Sequence, residues 1–353
     1  MAKTELNLSD FVNQAVFDSE SDLATAFQQA RPFRHVVIDD FLTPDFCAEI
    51  CEQFPAFTES HAIDENEQVG GKATREKVRA LGDAFCKSDD LMQAPAFLAL
   101  IERITGVAGL HYDPYYFGGG THENLEGQDL DAHIDFNYHP VSNQHRRLNL
   151  IIYLNPEWED AWGGSLQLHR DPYLEPSEDE VVTLTPLMNR CVIFETNEHS
   201  WHGFQRISLP EDKKGLSRKS FAVYFYTDLR PPDELADTHS TVYVERHLPE
   251  RFKTGLTVNE SEIREIKLLR ARRDQHLKRL YKDIQDLGGQ LSRHRQMGGM
   301  AQVNMQEEIP EDLRSAVQMI QFLRHRIHDM ENSTSWRLTA PVRALKRLVS
   351  GAS

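Results

Sequence analysis

From Val107 to Leu229 the chain is a series of short apolar runs divided by turn residues. YYF, DAHIDFNYH, RRLNLIIYLN, SLQLH, VVTLTP, RCVIFE, SWHGFQRI and KSFAVYFYT follow one another, with Gly, Pro and Asn clusters between them. Each run is strand-sized, and many short strands at close spacing suit a sandwich or a barrel. The expected fold is mainly β with flanking helices.

The flanks carry the helical patterns. Residues 1–30 read as a short helical lead-in and HVVIDDF (35–41) as a strand. TPDF reads as a helix start, with Thr43 at the N-cap and Pro44 at the first helical position. APAFLALIERITG (94–106) has helical periodicity and stops at Gly106, while residues 59–77, rich in Glu, Gln, Gly and Lys, read as a polar loop. Cys47 and Cys51 lie four apart among Phe46, Ile50 and Phe54. They read as a buried helix face rather than a disulfide or metal pair, since no His or further Cys pair stands nearby.

At 353 residues the chain is long for one small domain and short for three. Charge divides it. Residues 251–353 hold 19 basic and 12 acidic side chains, and the first 250 residues hold 20 and 43, for a net charge of −16. This predicts a body over 1–250 and a basic helical extension over 251–353. An acidic body argues against nucleic acid as its partner. No apolar run is long enough to cross a bilayer, and MAKTELNLSDF lacks a signal-peptide pattern, so a cytoplasmic protein is expected. In the extension, Ile263, Ile266, Arg270, Arg273, Leu277, Leu280, Ile284 and Leu287 follow a heptad seam of a coiled coil, weakened by its two arginines. LGGQLSRHRQMGGMAQVNMQ reads as a mobile linker. Leu313, Val317, Ile320, Leu323, Ile327 and Met330 mark a second helix. The two helices could pair with each other, fold onto the body or form a homodimer.

One short run carries chemistry. In DAHIDFNYHP, His133, Asp135, Asn137 and His139 stand two residues apart, so on a strand they share a face. An imidazole and a carboxylate side by side, joined by a third ligand, make the facial triad of non-heme Fe(II) oxygenases. His-x-Asp alone is a weak signal, and a distant His must complete it. NEHSWHGFQRI offers His199, in a polar turn, and His202, at the head of a β-like run that can hold it rigidly. His202 is the better third ligand. A dicarboxylate keto-acid cosubstrate needs a cation for its far carboxylate. RKSFAVYFYT supplies Arg218, with Ser220 on the same strand face and Lys219 on the other. Asn137 and His139 would continue the ligand face toward bound ligands or substrate, or be an ordinary polar strand end. Gly163 and Gly164 read as a tight turn, with Trp158 and Trp162 either shaping a cleft or packing in the core. GGGTHENLEGQDL has the look of a flexible lid, and His122 in it of a solvated loop histidine.

HIDFN, RRLNLIIYLN, WGGSLQLH, SWHGF and RKSFAVYFY, with PFRHVVIDDFLTPDFCAEI upstream, resemble the 2-oxoglutarate and Fe(II)-dependent dioxygenase superfamily in its prolyl 4-hydroxylase-like branch. The match covers about residues 30–230. The resemblance implies a double-stranded β-helix (jelly-roll) core, with iron held by His133, Asp135 and His202. It implies 2-oxoglutarate anchored by Arg218, helped by Ser220 and Tyr153. Fe(II) is the implied cofactor, 2-oxoglutarate and O2 the cosubstrates, ascorbate a candidate accessory reductant. The implied reaction is hydroxylation of an unactivated C–H bond with release of succinate and CO2; related halogenases lack the carboxylate that Asp135 supplies. One departure is the loop LPEDKKGLS, which lengthens the interval from His202 to Arg218.

In MENSTSWRLTAPVRALKRLVS, Pro341 opens a short helix pattern with Val342, Leu345, Leu348 and Val349 on one side and Arg343, Lys346 and Arg347 on the other. A basic amphipathic stretch reads as a membrane-surface or docking element. SWRLTAPVRAL also resembles a tail segment of bacterial surface-polysaccharide glycosyltransferases, which implies work beside glycan-assembly enzymes at the inner face of the membrane. The expected substrate is a small molecule, a peptidyl proline or a glycan. The competing expectation is a non-catalytic jelly-roll scaffold or binding protein that docks partners through its helices. A zinc hydrolase on a cupin-like barrel would leave Arg218 without a clear purpose.

Overall fold

The computed structural model describes residues 6–62, 72–245, 248 and 252–298. The chain divides into two compact units, Met1–Thr257 and Val258–Ser353.

The first unit opens with α1 (Gln14–Asp18), α2 (Glu20–Gln29), β1 (His35–Ile38) and α3 (Pro44–Glu52). α3 starts at Pro44 as expected, but the Thr43 hydroxyl caps nothing and donates to the Asp10 carbonyl at 3.2 Å. Next come β2 (Lys72–Arg75), α4 (Asp83–Met92), α5 (Pro95–Thr105), β3 (His111–Tyr112) and β4 (Gly120–Asn124). Gly106 ends α5 at φ +74°, a left-handed cap that glycine adopts without a Cβ penalty. β5 (Leu130–Ile134), β6 (His145–Tyr153), β7 (Leu166–His169), β8 (Val181–Leu184) and β9 (Cys191–Glu195) follow. β10 (Trp201–Phe204), β11 (Arg218–Thr227) and β12 (Val242–Tyr243) complete the set.

All strand pairs are antiparallel and fall into two sheets. One runs β1-β9-β6-β11-β4-β2, with β3 also on β11; the other runs β12-β5-β10-β7-β8. The chain crosses from sheet to sheet at β4/β5, β5/β6, β6/β7, β8/β9, β9/β10, β10/β11 and β11/β12. This alternation is the jelly roll the resemblance implies. The outer face of the larger sheet packs on the helices, where Phe221 and Phe225 of β11 share a core with Phe85 of α4 and Phe97 of α5. Burying each such ring contributes about 1.5–3 kcal/mol. The inner face meets the smaller sheet, where Tyr153, Val192 and Phe194 cluster with Leu166 and Leu168. On α3, Cys47 is buried and Cys51 half-buried, and their thiols lie 3.8 and 3.6 Å from Met188 Sδ.

Three expectations fail here. YYF (115–117) is a turn, because the Asp113 carboxylate accepts from the Tyr115 and Phe117 N–H groups at 2.8 and 2.7 Å. The stretch 59–77 is not all loop: residues 72–75 form β2, whose backbone ladder with β4 needs no apolar pattern. GGGTHENLEGQDL is not a lid. Its first half is β4, held between β11 and β2, and its polar inward face disguises it as a loop.

In the second unit α6 (Glu260–Gly298) is one 39-residue helix. It runs on through Gly288 and Gly289, where the expected linker begins; each glycine costs a helix only about 1 kcal/mol relative to alanine. Ile263, Ile266 and Leu287 of the expected seam are exposed. The rest of the linker, the second helix and the tail from Met330 lie outside the described residues.

Candidate metal and cosubstrate site

β5 and β10 pair so that His133 stands opposite His202. Gly203 permits this approach, because a Cβ there would lie 2.6 Å from the Leu130 carbonyl oxygen. The two imidazole centroids are 4.3 Å apart. Both rings are oriented alike: Nδ1 lies 2.9 Å from a carbonyl two residues back, that of Asp131 for His133 and that of Ser200 for His202. Donation by Nδ1–H leaves each Nε2 with a free lone pair. Asp135 stands just past β5, with Oδ1 3.7 Å from His133 Nε2 and Oδ2 3.5 Å from His202 Nε2. Ligand atoms of the three lie within 4.8 Å of one another, and no other such group of His, Cys, Asp or Glu occurs among the described residues. Two imidazoles and one carboxylate fit Fe(II) with positions left open.

The electrostatics favour a metal. Burial pushes His133 down to about 3, helped by the neighbouring His202, and burial lowers His202 as well. Burial alone would raise Asp135, but the Arg146 guanidinium and the two imidazoles outweigh it and hold the carboxyl well below its usual range. Neutral imidazoles and an ionised carboxylate are the forms that coordinate. Asp135 Oδ2 also accepts from Asn149 Nδ2 at 2.9 Å and pairs with Arg146 Nη2 at 3.0 Å.

A second cluster lines the inner face of the larger sheet. Arg218 pairs with Asn124, and Ser220 with both Tyr153 and His122. Directly paired residues point to the same face, so these five side chains are neighbours. Arg218 is buried; its Nε donates to the Gly164 carbonyl at 2.6 Å and its Nη2 to Tyr153 Oη at 3.2 Å. Phe204, two residues past His202, covers the guanidinium at 4.4 Å, which sets Arg218 beside the strand that carries His202. Burial lowers the Arg218 pKa more than Tyr153 raises it, but a guanidinium stays charged. Burial raises Tyr153, which remains a neutral donor. Ser220 and Asn124 are also buried. A cation, a phenol, a hydroxyl and an amide together suit an anionic ligand.

Asn137 and His139 lie past β5, which ends at Ile134, and Asn137 lines a cavity together with Asp135, Phe136 and Arg146. Asn137 Nδ2 donates to the Asp237 carbonyl at 2.8 Å and its Oδ1 accepts from the His239 N–H at 3.0 Å, clamping the segment after β11. His139 Nδ1 accepts from the Val141 and Ser142 N–H groups at 3.1 and 3.0 Å, while its Nε2 faces Asp113 at 3.2 Å. His122 is not a solvated loop residue but a half-buried strand residue, pushed down to about 3 by burial. Trp158 and Trp162 pack in a core with Phe204, Ile207 and Leu209. His199 is exposed in a turn, as expected, and Lys219 points to the far face, 5.4 Å from the Phe54 ring. Arg146, Asn149 and Asn124 escape the sequence reading. Asn149 carries a findable signal, since it lies four residues before Tyr153 and so on the same strand face.

Residues 119–226 match the profile of the 2OG-Fe(II) oxygenase superfamily. The Mus musculus protein named prolyl 3-hydroxylase OGFOD1 is 34% identical over 122 residues, covering 31% of this chain and 22% of that one. The chain therefore spans about a fifth of the length of this curated relative. Among solved structures, a prolyl hydroxylase in complex with a hypoxia inducible factor peptide fragment from Trichoplax adhaerens is 16% identical, covers 61% of this chain and 94% of its own, and gives a TM-score of 0.42. A Pseudomonas putida prolyl-4-hydroxylase is 17% identical, covers 58% and 98%, and gives 0.36.

Proposed function

We propose that this chain, a member of the 2OG-Fe(II) oxygenase superfamily through residues 119–226, is a dioxygenase that hydroxylates an unactivated C–H bond. His133, Asp135 and His202 hold Fe(II), and Arg218, with Tyr153, Ser220 and Asn124, takes the far carboxylate of 2-oxoglutarate. The observation that carries this reading is Arg218, a buried guanidinium without an acidic partner among the described residues, beside the strand of His202. An unpaired buried charge costs several kcal/mol, which an anionic cosubstrate offsets. A scaffold has no such need. When bound, iron with 2-oxoglutarate and O2 supplies the oxidising power, giving succinate, CO2 and one oxygen atom for the substrate. The protein's own share is orientation and dryness. Tyr153 and the Gly164 carbonyl aim the guanidinium, and Phe204 with the two tryptophans keeps water from it.

The substrate we propose is a peptidyl proline, supported by the naming of the mouse relative, with a glycan as the class the tail favours. The test is a panel of proline-containing peptides and lipid-linked glycans, scored by coupled succinate formation and a product heavier by one oxygen. Oxygen transfer to a peptide supports the prolyl reading; transfer only to a glycan replaces it.

We further propose residues 251–353 as a separate basic helical domain that brings the enzyme to the inner membrane face beside glycan-assembly enzymes. Arg343, Lys346 and Arg347 opposite Val342, Leu345 and Leu348 support this. No helix among the described residues is long and apolar enough to cross a membrane. Membrane association that survives deletion of residues 333–353 would contradict the proposal. Exposed Ile263, Ile266 and Leu287 support a homodimer through α6, which sedimentation equilibrium checks.

A further inference from the structure

The carboxylate of Asp135 is held from outside by two side chains that the metal-binding reading does not require. Arg146 is 1% exposed and is among the largest fully buried side chains of the described residues. Its Nε and Nη2 donate to Asn149 Oδ1 at 3.1 and 2.8 Å, and the same Nη2 lies 3.0 Å from Asp135 Oδ2. Asn149 closes the triangle, donating through Nδ2 to that same Oδ2 at 2.9 Å. The guanidinium carbon sits 3.7 Å from the Tyr224 ring centroid and 4.6 Å from that of Phe136, so its plane is fixed by aromatic contacts. Asp135 Oδ1 accepts no hydrogen bond among the described residues and stands 3.7 Å from His133 Nε2.

Stability does not explain this arrangement, because burying an ion pair costs about as much as the attraction returns. Its geometry does something else. A carboxylate can bind a metal through one oxygen or through both, and the second mode uses up a position that substrates need. The Asn149 donor and the Arg146 cation both engage Oδ2 and resist rotation of the carboxylate, while the cation draws negative charge toward that oxygen. We propose that Arg146 is a positioning residue that, with Asn149, restricts Asp135 to binding through Oδ1 and so keeps three metal positions open. The proposal rests on the reading of His133, Asp135 and His202 as the metal site.

The test loads the full chain with Mn(II) under argon and measures water proton relaxation per bound ion, which scales with the number of exchangeable waters on the metal. Wild type, Arg146→Gln, Arg146→Lys and Asn149→Ala are compared at equal occupancy. The expected result is a relaxivity lower by about one third in Arg146→Gln, as three open positions become two. Arg146→Lys, which keeps a cation and one donor for Oδ2, restores most of it, and Asn149→Ala falls between. A purely structural role for Arg146 would not change the water count of an ion that still binds. Equal relaxivity in wild type and Arg146→Gln overturns the proposal. Should Arg146→Gln not fold, equal values in wild type and Asn149→Ala overturn it. A wild type that binds no Mn(II) overturns instead the reading of the metal site on which it rests.

Discussion

Arg218 donates to Tyr153 Oη at 3.2 Å from a neighbouring strand of one sheet, and the pair is buried with no carboxylate among the described residues to neutralise it. A charged anchor and a neutral anchor should therefore separate in their effects. Arg218→Met should weaken 2-oxoglutarate binding by about 100-fold or more, the scale of losing one partner of a buried charge pair. Tyr153→Phe should cost about tenfold, the scale of one neutral hydrogen bond. Titration calorimetry with Mn(II)-loaded protein checks both, and metal affinity itself should not move. Equal losses in the two variants would contradict the assignment.

Asn124 predicts two effects of opposite sign. Its polar amide is buried on the inner face of β4, so Asn124→Leu should raise ligand-free stability by about 1 kcal/mol. The same change should weaken 2-oxoglutarate binding by about tenfold, because it removes a polar neighbour of Arg218. Thermal melts with and without 2-oxoglutarate read both effects. A destabilised variant with unchanged affinity would show that Asn124 serves packing alone.

Gly203 holds the two histidine strands together. A Cβ there meets the Leu130 carbonyl oxygen at 2.6 Å and the Asp131 backbone at 3.0 Å, and backbone cannot yield as a side chain can. Gly203→Ala should cost about 1–3 kcal/mol of stability. By moving His202 away from His133 it should also lower metal affinity by an order of magnitude or more. Mn(II) binding followed by electron paramagnetic resonance is the direct check, and a variant that melts early yet binds metal normally would contradict the second half.

The segment after β11 should be pH-sensitive. His239 Nε2 meets Glu198 Oε1 at 3.0 Å, and Asn137 grips the same stretch through the Asp237 carbonyl and the His239 N–H. Burial works to lower the His239 pKa, but its bonds to Glu198 and Ser240 outweigh burial and raise it. A histidine whose folded pKa lies above its unfolded value contributes stability that is complete below about 6.5 and is lost as pH rises through the folded value. Hydrogen exchange of residues 232–244, corrected for intrinsic rate, should show less protection at pH 8.5 than at pH 6. Glu198→Gln should flatten the difference. Protection that increases with pH would contradict the sign.

How much of this was legible in the sequence follows from where strands begin and end. His133, His202, Arg218, Ser220 and Tyr153 sit inside strands, where a period of two places side chains reliably, and the structure brings them to the inner faces. Asn137 and His139 lie past the end of β5, where that period no longer applies. β4 is hard to read because its inward residues, His122 and Asn124, are polar like a loop's while serving a site. Arg146 lies where the register between β6 and β11 shifts, so no periodicity assigns its face. The two glycines of α6 look like a break because local propensity is weak, and their neighbours carry the helix through.

The central claim is that the His133, Asp135 and His202 cluster and the Arg218 pocket together oxidise 2-oxoglutarate. The most direct measurement is succinate formed from 2-oxoglutarate under air with added Fe(II) by the full chain, beside His133→Ala and Arg218→Met. Wild type should give iron-dependent succinate, His133→Ala none, and Arg218→Met a signal that returns only at much higher 2-oxoglutarate. Wild type that binds no iron and releases no more succinate than His133→Ala would contradict the claim.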